Sequence, residues 1–281
     1  MSIHRAKELI RDNLNIPTMP EVIGKIQAML NDPDSGTKEM GELISQDAPL
    51  SAKVLRIANS AYYGLRQPCV STEQASAILG MRVLRNVVTQ AAVIEQFQHL
   101  SKFATFDLDE AWRHSIATAQ VCSRLAQQCR TALDLNPDEF YVCGLLHDLG
   151  QIVLLDSLGK HYVRIIDESK SSGTPIHVAE RDYLDFDHTD VGAMVATRWG
   201  LPEPVIAAIQ YHHGPREAVE NDPVVSLVAN ANLLVNRVAA SGADDAALVF
   251  DQGTCVQLGL GRDQMGDAIE FAQTALESAE V

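Results

Sequence analysis

The chain has 281 residues, 46% hydrophobic and 21% charged, the balance of a globular protein able to bury a substantial core as one or two domains. Its formal net charge of −15 argues against general nucleic-acid binding, because attraction to phosphate needs positive surface. No run of eighteen apolar residues is present and the charged start, Met1 to Leu9, does not read as a secretory signal, so neither a membrane-spanning helix nor a membrane partner is expected.

Apolar residues recur at three- and four-residue spacing along nearly the whole chain, which predicts an all-α fold. Pro20 opens a helix through Val22, Ile26 and Leu30 that ends in the turn-forming stretch 31–36. Residues 37–45 form a short second helix. Pro49 starts a third, carrying Leu50, Val54, Leu55 and Ala58 and stopping near Tyr63-Gly64. Residues 72–79, Gly80 and a helix from Met81 to about Phe97 follow, an arrangement superficially like a helix-turn-helix. Short helical hairpins are far more often plain packing units, so no DNA partner is expected. Between residues 51 and 92, Lys53, Arg56, Arg66, Arg82 and Arg85 face only Glu73, a local balance of +4. That reads either as a solvated face matched to the acidic remainder or as contact for an anionic partner.

The polar and aromatic stretch 101–106 divides an amino-terminal helical part, residues 1–104, from a second part, residues 105–281. Phe103 and Phe106 are expected to bury and to hold the two parts together. Asp107 with Glu110 reads as a capping box for a helix reaching about Arg130. Asn136-Pro-Asp-Glu139 opens a helix that carries His147-Asp148 in its middle. Further helices are predicted over 162–171 and 175–184, from an Asp187/Asp190 cap to Gly200, and over 202–212. The last two run from Asp222-Pro223 through Asn230 and Asn232, and over 263–279. The five cysteines, Cys69, Cys122, Cys129, Cys143 and Cys255, are odd in number and form no Cys-x-x-Cys pair. They point to free thiols in a reducing cytoplasm and away from disulfides or a thiolate-bound zinc.

Within the apolar run 142–155, His147-Asp148 stands out. A buried imidazole and carboxylate left without partners cost several kcal/mol, so they must be hydrogen-bonded, paired or metal-bound. His114, His188, His212 and His213 sit on other predicted helices and could complete a shell, as in metal sites built inside helix bundles. Neutral imidazoles with a carboxylate suit iron, manganese or zinc. Adjacent residues of a helix point about 100° apart, so the pair grips one ion lying between them, or two ions share the site. A divalent ion there lowers the pKa of water and polarises a phosphoryl oxygen, which is phosphohydrolase chemistry. His4, His99, His161 and His177 read as surface or hydrogen-bonded residues.

The segments His114-Ser-Ile-Ala-Thr-Ala119, Leu145-Leu-His-Asp-Leu-Gly150, Phe186-Asp-His-Thr-Asp-Val-Gly192 and Ile209-Gln-Tyr-His-His213 together resemble the HD superfamily of metal-dependent phosphohydrolases. They are most similar to the branch containing HD-GYP cyclic-di-GMP phosphodiesterases. Ile16-Pro-Thr-Met-Pro20, Gln46-Asp-Ala-Pro-Leu-Ser51 and Leu55-Arg-Ile-Ala-Asn-Ser-Ala-Tyr-Tyr-Gly64 resemble a narrower group, the HDOD domain of bacterial signalling proteins. The resemblance spans roughly residues 14–240. It implies an HD-like helical bundle preceded by an amino-terminal helical subdomain. It also implies a cytoplasmic signal-transduction role and one or two divalent ions held by His114, His147, Asp148, His188, His212 and His213.

Three departures bear on activity. Where active HD enzymes supply a late aspartate ligand, this chain reads Val228-Ala-Asn230, and an asparagine offers only a neutral carbonyl oxygen. Gln151 replaces the lysine of the HD-GYP pattern, removing a cation that could stabilise a phosphoryl group. Gly214-Pro-Arg-Glu217 holds no Gly-Tyr-Pro loop, so cyclic-di-GMP hydrolysis by the HD-GYP route is not expected. Two readings stay open. One is a catalytically impaired regulatory module that keeps its metal pocket and binds a signalling protein or a nucleotide. The other is an active phosphohydrolase of nucleotides or phosphodiesters, with Asp148 bridging metal or orienting water and Arg113 receiving phosphate.

Overall fold

The computed structural model describes residues 17–30, 32, 35–102, 106–129, 137–214, 222–241 and 258–279, and every regular element among them is helical. The amino-terminal half comprises α1 (Glu21–Leu30), α2 (Thr37–Ser45), α3 (Ala48–Ala58) and α4 (Thr72–Gln96), followed by a 3-10 turn, Gln98–Lys102. The second half comprises α5 (Leu108–Gln128), α6 (Pro137–Leu146), α7 (Leu149–Leu158), α8 (Lys160–Ser172), α9 (Ile176–Leu184), α10 (His188–Arg198), α11 (Glu203–Tyr211), α12 (Pro223–Ser241) and α13 (Arg262–Ser278).

Side-chain caps set several of these boundaries. Asp47 accepts from the Leu50 amide at 3.0 Å and starts α3 ahead of the expected Pro49. Asp107 accepts from the Glu110 amide at 2.8 Å, and Asp187 and Asp190 form the expected reciprocal box at α10. α3 stops at Ala58, short of Tyr63-Gly64. Gly80, at φ +75° and ψ 168°, interrupts α4 where the sequence places a break, a backbone conformation that side-chain-bearing residues rarely adopt. Asn136, Phe103, Cys255, His4 and the segment 215–217 lie outside the described residues. Cys69, Cys122, Cys129 and Cys143 are unbonded thiols.

Two apolar cores share α4. Leu84, Val87, Val88 and Ala91 join Ile26, Met40, Ile44, Leu50, Val54 and Ile57 in the smaller one. One turn further on, Val93, Ile94 and Phe97 enter the larger core with Trp112, Phe140, Tyr141 and Tyr162, all fully buried. Large apolar side chains buried in this way contribute about 1.5–3 kcal/mol each. Phe106 packs against the same core. The Trp199 indole donates to the Pro17 carbonyl at 3.0 Å, tying the start of the described chain to α10.

Three helical stretches, Thr72–Gln96, Glu139–Leu158 and Pro223–Ala240, are long and apolar enough to cross a membrane by length and composition, although no eighteen apolar residues run uninterrupted and no membrane-spanning helix is expected from the sequence. In the fold, 56%, 67% and 61% of their apolar windows are buried against other helices, and the first is broken at Gly80 and the second at His147-Asp148.

Two glycines fix the helix crossings around that second break. A Cβ on Gly144 would sit 2.6 Å from the Ala119 Cα on α5, and one on Gly150 would sit 1.8 Å from the His188 carbonyl oxygen on α10. Gly150→Ala should therefore destabilise by about 3 kcal/mol, the upper end of an overpacking cost. Gly266→Ala, with nothing within 4 Å of its Cβ, should be neutral or stabilising. Urea midpoints at unchanged m-value read both, and equal midpoints for the two variants would contradict the packing argument.

Candidate metal centre

His147 and Asp148 do not sit mid-helix, as the apolar run suggests. α6 ends at Leu146 and α7 begins at Leu149, with Asp148 at φ −98° and ψ 10°. In an unbroken helix the two side chains would diverge by about 100°. The break brings the Asp148 Oδ2 to 3.2 Å from the His147 Nε2. Asp148 occupies the cap position of α7 but makes no cap hydrogen bond; its carboxylate is turned into the cluster.

Four imidazoles present Nε2 to this carboxylate. On Oδ1, His188 approaches to 3.3 Å and His212 to 3.5 Å; on Oδ2, His114 lies at 3.6 Å beside His147. His114 and His147 face each other through Nε2 at 3.3 Å. Donor atoms of Asp148, His188, His212 and His213 all lie within 4.8 Å of one another, and so do those of His114, His147 and Asp148. Two donor groups thus share one carboxylate.

The far side of three rings is fixed. His147 Nδ1 donates to the Gly144 carbonyl at 2.7 Å, His212 Nδ1 to the Ile209 carbonyl at 2.8 Å, and His188 Nδ1 to the Glu180 Oε2 at 2.6 Å. An acceptor on Nδ1 places the proton there and leaves Nε2 for the centre. Glu180 is itself fully buried, accepting also from the His188 amide at 2.9 Å and from the Tyr162 hydroxyl.

The electrostatics follow from this packing. Burial, with the neighbouring His147, lowers His114 to about 4. Burial lowers His212 to about 4 as well, against the pull of Asp148. Both rings are neutral at pH 7, as ligands must be. Burial alone would raise Asp148, but His147, His188 and His212 outweigh it and hold the carboxyl well below its usual range. For His188, burial is outweighed by Glu180 and Asp148, and its pKa lies well above the ordinary value.

Asp148 Oδ1, His188 Nε2 and His212 Nε2 are buried and converge to 3.3 and 3.5 Å, yet none of them makes a well-aligned hydrogen bond. Unpartnered buried polar atoms are rare and costly. A divalent ion satisfies all three at once, so the residues present fit such an ion.

The late asparagine differs from the sequence assignment. The side chain at the cluster is Asn232, which lines the same cleft as His114 and Asp148 and accepts from Asn236 Nδ2 at 2.8 Å. Asn230 lies two residues earlier, about 200° around the helix. It donates back to the Ser226 carbonyl at 2.8 Å. Arg113 and Gln151 line a 620 Å³ cleft that opens onto Asp148, His114, His213 and Asn232.

The model of the HDOD domain family matches residues 16–215. The chain belongs to the HDOD family. An HDOD domain protein from Geobacter sulfurreducens has a similar structure, with TM-score 0.78 and 27% identity over 98% of this chain and 97% of that one. A Shewanella amazonensis SB2B structure, named as a candidate phosphohydrolase, gives 0.76 at 22% identity over 98% of each chain. An uncharacterised Treponema pallidum protein is 30% identical over 222 residues, which is 79% of this chain and 42% of that protein. The chain therefore spans under half the length of that curated relative. The HDOD match ends at residue 215, before α12 and its asparagines.

Four residues at or behind this centre are not singled out by the sequence as part of it. Glu180 falls on the apolar stripe of α9 with Ile176, Ala179 and Leu184, and that spacing could have flagged it. Tyr162 has no such signal. Asn232 was read only as helix. His177, which the sequence places among surface or hydrogen-bonded histidines, stacks on His213 at 4.2 Å and 17°. His99 instead pairs with Asp156 at 2.7 Å, away from the centre, and His161 is exposed.

Because His188 carries its extra proton through and above pH 6.5, metal binding at Nε2 must displace it. Manganese affinity should thus rise about tenfold per pH unit from pH 6.5 upward, until the raised His188 pKa is passed. Glu180→Gln removes the carboxylate that raises it and should flatten that slope. Titrations across pH test this, and an unchanged slope in Glu180→Gln would show that the proton leaves another group.

Proposed function

We propose that this HDOD chain is a signalling module that holds a divalent ion and, through it, an anionic ligand or partner, with little turnover. The observation that carries the reading is the asymmetry of the two donor groups around Asp148. The Oδ1 group offers three imidazoles and a carboxylate, a full set for one ion. The Oδ2 group offers His114, His147 and the shared carboxylate, and the side chain beside them is the neutral amide of Asn232. Phosphoester displacement that clamps both attacking and leaving oxygens needs two well-held ions about 3.5–4 Å apart. One strong and one weak set favour binding over turnover.

The second reading, an active phosphohydrolase, is favoured by the 620 Å³ cleft that reaches the centre. In it Asp148 orients the attacking water and Arg113 receives the phosphate. Metal analysis of the purified chain, with turnover of bis(4-nitrophenyl) phosphate in added manganese or iron, separates the two. One tightly held ion per chain and background turnover are expected. Asn232→Asp should tighten a second ion by tenfold or more and raise turnover. Wild-type turnover abolished by His147→Ala would sink the binding reading, and a chain that takes up no metal would sink both.

A further inference from the structure

The donor group on Asp148 Oδ1 is fixed unevenly. His188 and His212 each hand Nδ1 to an acceptor, Glu180 and the Ile209 carbonyl. His213 makes no hydrogen bond among the described residues and is the exposed member of the group. It also stands past the end of α11, between His212 and a Gly214 at φ +109°, so no helix carries it. It nevertheless brings a donor atom within 4.8 Å of those of Asp148, His188 and His212. A side chain on a turn, with several rotamers open to it, keeps such a place only against a rigid support.

His177 is that support. Its ring lies on the His213 ring with 4.2 Å between centroids and 17° between planes, whereas the His212 and His188 rings meet His213 at 48° and 87°. His177 belongs to neither donor group, makes no hydrogen bond among the described residues and leaves Nδ1 buried without a partner. What it brings to the centre is a flat face, not a nitrogen. The mount is firm as well. His177 and Glu180 are three residues apart on α9 and share one face of it, so one helix braces both His213 and His188. The corner before α9 is pinned in turn. Ser169 Oγ donates to the Thr174 carbonyl at 2.7 Å, Ser172 Oγ donates to Thr174 Oγ1 at 3.0 Å, and Gly173 turns at φ +70°.

On the metal-centre reading given above, we propose that His177 is a positioning residue whose stacking holds His213 as the fourth protein donor to the ion on Asp148 Oδ1. His213 lines the cleft, so a fixed His213 closes the ion to water on that side. Metal sites that only bind are closed by protein donors, whereas catalytic ones keep a position open. The stack is thereby one source of the low turnover expected of this centre.

The test loads the full chain with cobalt(II), whose visible absorption weakens when water adds to the ion, and reads affinity and spectrum together. His177→Ala should lower cobalt affinity about tenfold, the lower end of the loss on removing a supporting partner of a metal ligand, and should weaken the absorption. His213→Ala should give the same weakened spectrum. The double variant should lose no more than His213→Ala alone, since both residues act through one ring. His177→Phe keeps a flat ring without nitrogens and should restore affinity and spectrum. Wild-type values in His177→Ala, a wild-type spectrum in His213→Ala, additive losses in the double variant, or a His177→Phe no better than His177→Ala would each overturn the stacking role alone. A wild-type chain that takes up no cobalt overturns the metal-centre reading beneath it.

Discussion

The second half of this protein is organised around one carboxylate that four imidazoles approach within 3.6 Å. Asp148 has one oxygen for each donor group, and both groups depend on the helix break that frees its side chain from the cap of α7. The arrangement is costly in isolation, since a buried carboxylate and buried imidazoles lose their hydration. It persists because the rings answer the carboxylate, and because three of the four hand their remaining nitrogen to a fixed acceptor. Within the centre, Asp148 Oδ1 lies 3.3 Å from His188 Nε2 and 3.5 Å from His212 Nε2 without a well-formed hydrogen bond to either.

Placing that carboxylate demands helix crossings closer than ordinary side chains permit. Gly144 lets α6 approach the α5 backbone that carries His114, and Gly150 lets α7 meet the first residue of α10, His188. The two glycines sit three residues before and two residues after the His-Asp pair. The break in the helix and the contacts on either side are one device. Interior packing resists even a methylene of extra volume, so these positions transmit their geometry directly to the donor atoms.

The all-α fold and most helix boundaries were legible because the apolar spacing, the proline and glycine punctuation and the acidic caps at Asp107 and Asp187 are local signals. The gathering of His114, His147, Asp148, His188, His212 and His213 was anticipated from motifs in four separate segments. Three things were not legible. The break at His147-Asp148 lies between the close approach of Gly144 to α5 and that of Gly150 to α10, long-range contacts that periodicity within α6 and α7 does not register. Glu180 was hidden among charged neighbours, and only its place on the stripe of α9 sets it apart. The choice between Asn230 and Asn232 turns on which face of α12 meets the centre, and two residues on a helix differ by about 200°.

The charge balance of the centre links metal and ligand. Two divalent ions would bring four positive charges, while Asp148 is the one carboxylate in either donor group, Glu180 standing behind His188. Asn232 adds oxygen but no charge. The first ion finds three imidazoles and a carboxylate, whereas a second is left short of both donors and negative charge. On the proposed reading, an anionic ligand entering the cleft would supply what a second ion lacks. Ion and ligand then raise each other's affinity by the same factor, because coupling between two binding events is reciprocal. Such a centre would, on that reading, report the joint presence of metal and anion.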